Sequence, residues 1–201
     1  MSEELVVAQC SPTMAGLKTG SLFACPMEDR AALAASIRRM NAHFVPRGIR
    51  MMPVKYMRER VLIYVYRPAA LAHDLQQPDA VQMLAEAHYP VGSVDRCVAE
   101  LMRRLRQGDA FPHEIGLFLG YPAEDVRGFI RLGARRAKCV GAWRVYGDPE
   151  AAQRQFARLK KCTRVYCAAY QRHRSLDRLG GYCALERALR VQDDTQSNIL
   201  P

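Results

Sequence analysis

No stretch of this 201-residue sequence holds the roughly 20 consecutive apolar residues that a membrane span needs; the longest unbroken apolar run is Val61–Tyr66. Near Met1 there is no basic stretch leading into an apolar one, so no secretory signal is read and a cytoplasmic protein is expected. Cys-x-x-Cys pairs are missing too, although the sequence has seven cysteines. The closest pair, Cys162 and Cys167, is spaced too widely for the usual zinc ribbon or iron–sulfur cluster. Any metal site would need ligands from distant segments. An odd count and a reducing compartment both argue against a disulfide framework. Taken singly, Cys10, Cys25, Cys97, Cys139, Cys162, Cys167 and Cys183 each read first as small buried hydrophobes. A P-loop, a dinucleotide fingerprint, a Ser-His-Asp order and the His-Glu-x-x-His zinc motif are also lacking. No internal repeat and no dividing linker is visible, so residues 1–190 are expected to form one domain, with a frayed polar tail over 191–201.

What is present is a globular mixture, 49% hydrophobic and 25% charged, with a formal charge of +10. The excess is localised. Residues 1–130 carry 15 Lys and Arg against 14 Asp and Glu, whereas residues 131–190 carry 15 against 4. Such a block, running from Arg131, Arg135, Arg136 and Lys138 through Arg154, Arg158, Lys160, Lys161 and Arg164, attracts phosphates of a nucleic acid or of a small anion. A solvated helix face explains the same charges.

Periodicity gives the elements. Val6–Val7 opens a short strand that ends near Cys10, followed by a loop to Lys18 rich in turn formers. Asp29 caps a helix over 30–44, with Leu33, Ile37, Met40 and Phe44 on one face. Residues 49–56 and 60–67 read as a hairpin in which Pro53 marks an edge or bulged strand and Val61–Tyr66 an interior one. Helices follow at 69–76, 78–87 and from Ser93 to Gly108. Ile115–Tyr121, with Gly116 and Gly120 alternating, reads as a strand with one bare face. Pro122 at the first helical position starts a helix that Gly133 ends. Residues 140–146 form another strand, and Asp148 caps a long helix whose Phe156, Leu159, Tyr166 and Tyr170 pack on the sheet. The whole is α+β: one mostly antiparallel mixed sheet of about five strands packed with helices.

Over 111–130 the pattern Phe-Pro-His-Glu-Ile-Gly-Leu-Phe-Leu-Gly-Tyr-Pro-x-Glu-Asp-Val-x-Gly-Phe-Ile becomes specific. With Cys10-Ser-Pro-Thr-x-Ala-Gly-x-Lys18, Leu62-Ile-Tyr-Val-Tyr-Arg-Pro68 and Gly141-x-Trp-x-Val-Tyr-Gly-Asp148, followed by Phe156 and Lys161-Cys-Thr163, it resembles a bacterial domain-of-unknown-function family met mainly in anaerobes. The resemblance runs from about residue 6 to 180 and brings no assigned reaction. What it implies is an association with flavodoxin and iron-uptake genes, hence iron or redox physiology. Past Gly181 the chain continues with Tyr182-Cys-Ala-Leu-Glu-Arg, where the resemblance carries no expectation.

Six residues form the candidate ligand site. Cys10 is a candidate nucleophile or metal ligand if Lys18 or a helix N-terminus lowers its pKa; Thr13 and Lys18 suit a phosphate or carboxylate. His113 is a candidate base or ligand, with Glu114 beside it, although neighbours in a strand point to opposite faces. Tyr121 closes that strand. The lead reading is a ligand-binding or redox and iron-homeostasis accessory protein, with its pocket between the Cys10 loop and the His113 strand. Its partner would be a small anion or a redox protein such as a flavodoxin. A cysteine-dependent enzyme using Cys10 and His113 is the competing reading. The third is a nucleic-acid or acidic-partner module using residues 131–164, with Arg154, Arg158 and Lys161 as its patch. Neither a cofactor nor a metal is specified by these residues.

Overall fold

The computed structural model describes residues 1–26, 29–108 and 111–179. Its central strand is the run that the sequence marks as interior. Strand β3 (Arg60–Tyr66) is flanked by β1 (Gly20–Pro26) and β2 (Arg50–Tyr56), and both pairings are antiparallel. Pro53 lies on the edge strand β2, where the register shifts between Pro53 and Lys55. A proline has no N–H for the ladder, and an edge position with a bulge avoids that loss.

Every residue from Val61 to Tyr66 is buried. Successive side chains of a strand point to opposite faces, so β3 must be covered twice. Val61, Ile63 and Val65 pack against α1 (Glu3–Met14), α2 (Arg30–Phe44) and α8 (Pro149–His173). Leu62, Tyr64 and Tyr66 pack against α3 (Pro68–Leu75), α4 (Pro78–Glu86), α5 (Val94–Gln107) and α6 (Ile115–Phe118). Next, α7 (Ala123–Leu132) leads to a small hairpin of β4 (Cys139–Val140) and β5 (Arg144–Val145), and α9 (Leu176–Leu179) follows α8. The fold is α+β, but the five strands form a three-stranded and a two-stranded sheet rather than one.

Asp29 and Asp148 cap α2 and α8 through two backbone N–H groups each, and Ser93 caps α5. Several segments depart from expectation. Residues 6–10 are helical, not strand. Ser2 caps α1, the Ser11 hydroxyl turns back onto the Val7 carbonyl, and Pro12 sits inside the last turn. β-branched Val6 and Val7 and an internal proline disguise this helix, whose stability comes from burial. Residues 115–121 are a short helix and turn, not a strand. Gly120 has φ +74°, the Tyr121 N–H reaches the Gly116 carbonyl and the Gly120 N–H that of Leu117, so Gly120 is the left-handed end of a Schellman motif. Between 140 and 146 the chain turns back on itself as β4–β5. Strand β1, with no clean alternation, is not anticipated at all. Pro122 is the N-cap rather than the first residue of α7. The expected tail over 191–201 lies outside the described residues.

The sheet is tied to the α3–α6 layer by Tyr64, whose buried hydroxyl donates to the Phe118 carbonyl at 2.6 Å. Removing it strands a buried acceptor. We expect Tyr64→Phe to cost about 1–3 kcal/mol of unfolding free energy in urea titrations.

Candidate functional site

The Cys10–Lys18 segment is mostly structural. Cys10 is wholly buried against β3, and burial pushes its thiol up to about 12 despite Lys18 nearby. Thr13 shares a 2.9 Å hydrogen bond with Ser21 of β1. At the C-terminal end of α1 the Arg67 guanidinium donates to the carbonyls of Thr13 and Met14. This satisfies orphan carbonyls and places a cation at the negative end of the helix. Arg67 belongs to the Tyr-Arg-Pro block of the sequence, so two of the motif blocks meet in this clamp.

Lys18 differs from its neighbours. Half-buried, it holds its ammonium 5.1 Å from the centre of the Tyr121 ring, and burial lowers its pKa to about 8. Tyr121 stacks on Trp143, ring centres 5.1 Å apart, and Trp143 meets Phe156 edge to face at 4.6 Å. These aromatics join the α6–α7 turn, the β4–β5 hairpin and α8. Beside them an open cavity of about 870 Å³ lies between Lys18, the 140–142 turn and α8. Phe156 and Leu159 supply its apolar wall; Lys160 and Arg164, one helical turn apart, join Lys18 as its cations. Gln9, Gln153 and Thr163 add polar groups.

His113 is elsewhere. Its ring packs edge-on against Phe129 at 5.0 Å and lines a second cavity of about 340 Å³, to which Tyr121 and Trp143 also contribute. Cys10 belongs to the core on the α1 face of β3, whereas His113 lines a cavity built from α6, α7 and β5, on the layer that covers the other face. The expected shared cleft of Cys10 and His113 is therefore not formed. Glu114 is buried and accepts from Arg104 at 3.0 Å, and the Arg104 guanidinium lies 4.1 Å from the centre of the Tyr89 ring. That pair is an internal tie. Of the six candidates, the structure sets Lys18 over the Tyr121 ring and places Tyr121 and His113 on one cavity.

Asp125 is the residue that sequence reasoning missed. Buried at 3% exposure, its carboxylate accepts from Trp143 Nε1 at 2.7 Å and from the N–H groups of Tyr146 and Gly147 at 2.6 and 2.8 Å. Gly128 lets the Tyr146 ring lie against α7, where a Cβ would collide with it. The signal was the pairing of an Asp in one block with Trp-x-Val-Tyr-Gly in another. Lys160 and Arg164 were read only as members of the basic block and not as residues of the candidate ligand site. Arg154, Arg158 and Lys161 lie at i, i+4 and i+7 on α8; Arg154 lies 3.8 Å from Glu150, Arg158 donates to Gln155, and Lys161 is exposed. Helix α8 packs chiefly along α1 rather than on the sheet. Among the described residues, no group of three or more His, Cys, Asp or Glu is placed to hold a metal ion, and no helix is long and apolar enough to cross a membrane.

Asp125→Ala would orphan three N–H donors. At about 1–3 kcal/mol for each buried donor, we expect a loss of about 3 kcal/mol or more, read by urea denaturation followed through Trp143 fluorescence. At neutral pH, Cys10 should stay unalkylated by iodoacetamide while the half-buried Cys139 and Cys167 react. Cys10 reacting first would contradict its burial.

Neither a curated protein nor a solved structure matches the chain. A family match covers residues 6–180, which takes in all four motif blocks and both cavities. The chain belongs to the family described as Protein of unknown function (DUF3793).

Proposed function

We propose that the protein binds a small organic anion in the cavity between Lys18 and helix α8. The observation that carries this reading is the convergence of Lys18, Lys160 and Arg164, from segments more than a hundred residues apart, on one concave surface with an apolar wall. Cations from one helix alone describe a solvated face; cations gathered by the fold around a cavity describe a site. The apolar wall favours an anion with an organic body, since Phe156 and Leu159 offer bare phosphate nothing. From the Cys-Ser-Pro-Thr-x-Ala-Gly-x-Lys block, Pro12 and Lys18 line this cavity, and Lys18 is its charged member.

The other readings draw less support. A redox or iron-accessory role, with a flavodoxin-like partner, rests on the family resemblance and no geometry favours it. The cysteine-enzyme reading meets a buried Cys10 far from His113. A polyanion surface remains available at exposed Arg131, Arg135, Arg136 and Lys138, but none of these four lines either cavity described above.

Calorimetric titration with phenyl phosphate tests the proposal. Charge-assisted contacts are worth about 1.5–3 kcal/mol each. The double variant Lys160→Glu/Arg164→Glu should therefore weaken binding by about a hundredfold or more. Inorganic phosphate should bind at least about tenfold more weakly than phenyl phosphate. Phenyl phosphate keeps its double charge above neutral pH, its second pKa being near 6. Lys18 loses its proton as pH rises through about 8, so affinity should fall across that range. Equal affinity for wild type and the double variant would refute the site.

A further inference from the structure

We propose that the second cavity, beneath Tyr121 and Trp143, is a separate binding site for a planar aromatic ligand. It rests on its own observations and does not depend on the anion site. The space is about 340 Å³, toward the lower end of the range for small-molecule pockets and far larger than a packing defect. Its walls come from the 111–113 segment, α6, α7 and the start of β5. The sequence has 16 Phe, Tyr and Trp residues, and four of them, Phe111, Tyr121, Phe129 and Trp143, gather here with the His113 ring. Two pairs are already set at aromatic spacing, Tyr121 on Trp143 at 5.1 Å and His113 on Phe129 at 5.0 Å. A ring entering between them would meet both faces and edges, the arrangements aromatic systems prefer.

The chemistry of the remaining wall points the same way. Asp125 reaches the cavity, yet both its oxygens already accept hydrogen bonds from Trp143, Tyr146 and Gly147. Gly116 presents no side chain, and Val126 packs into the room a Cβ there would need. The other charged group at the site is Arg144, which is exposed, as is His113. The interior is therefore apolar and the mouth carries the charge, which suits an uncharged ring inside and any acidic substituent outside. Phe111, 53% exposed, has little packing of its own to lose by contacting such a ring.

The probe is N-phenyl-1-naphthylamine, an uncharged aromatic whose emission rises in apolar surroundings. We expect saturable one-to-one binding, weakened tenfold or more by Phe111→Asp, an exposed position whose change leaves the core alone. The Lys160→Glu/Arg164→Glu variant should bind the probe within twofold of wild type, which separates this site from the anion cavity. In methyl-resolved NMR of the wild type, the largest shifts on adding naphthalene should fall on Ile115 and Val126. Absence of saturable binding, indifference to Phe111→Asp, or shifts confined to other methyls would overturn the proposal. Sedimentation showing a wild-type dimer that Phe111→Asp disperses would also overturn it, making this face an interface between copies of the chain.

Discussion

Burial of β3 on both faces is the constraint from which the rest of the structure follows. A strand with six consecutive buried side chains sits at the centre of a sheet and needs an apolar layer on each side. The sheet's one helical connection, α2 between β1 and β2, covers only part of one face. The chain therefore spends α1, α2 and α8 on one face and α3 to α6 on the other. Antiparallel pairing on both sides leaves β1 and β2 as edges, and Gly20 in β1 gives the Phe118 carbonyl room to approach, since a Cβ there would lie 2.6 Å from it. That approach brings the α6–α7 turn to the end of the sheet, next to Lys18.

The same constraint separates residues that the sequence invites one to join. Cys10 and His113 each stand in a distinctive motif, but they are held to different layers by the alternation of β3. Much of what the motifs encode is internal: Arg67 holding the end of α1, Glu114 paired with Arg104, and Asp125 holding the β4–β5 hairpin. A buried carboxylate with three N–H donors is well satisfied, and it fixes Trp143 beside Tyr121. The smaller cavity forms at that pair of rings, and Phe156, which meets Trp143 edge to face, lines the larger one.

Elements with strong local signals were legible from sequence. Asp29, Ser93 and Asp148 mark helix starts, Pro53 marks the bulged edge, and Val61–Tyr66 marks the central strand. Those lost were governed by tertiary packing. α1 is helical against the β-branched character of Val6 and Val7 because Val6, Val7 and Cys10 are buried in the core between β3 and α8. α6 looked like a strand because Gly116 and Gly120 alternate with apolar residues. Yet the two glycines have unrelated purposes, one a close approach to Val126 and the other a left-handed turn. Tyr121 and Lys18, which enter the proposed sites, were singled out from sequence, each within a motif block. Lys160 and Arg164 were not, since spacing along α8 alone does not say which of its cations faces a concavity.

The central claim is that the fold gathers Lys18, Lys160 and Arg164 into one anion site with an aromatic wall. A crystal structure with 4-bromophenyl phosphate tests this most directly, because the anomalous signal of bromine locates the ring independently of the phosphate. The account predicts bromine against Phe156 and Leu159, with phosphate oxygens within hydrogen-bonding distance of Lys18 and at least one of Lys160 and Arg164. Bromine and phosphate found only along the exposed 131–138 segment, with the cavity beside α8 empty, would contradict it.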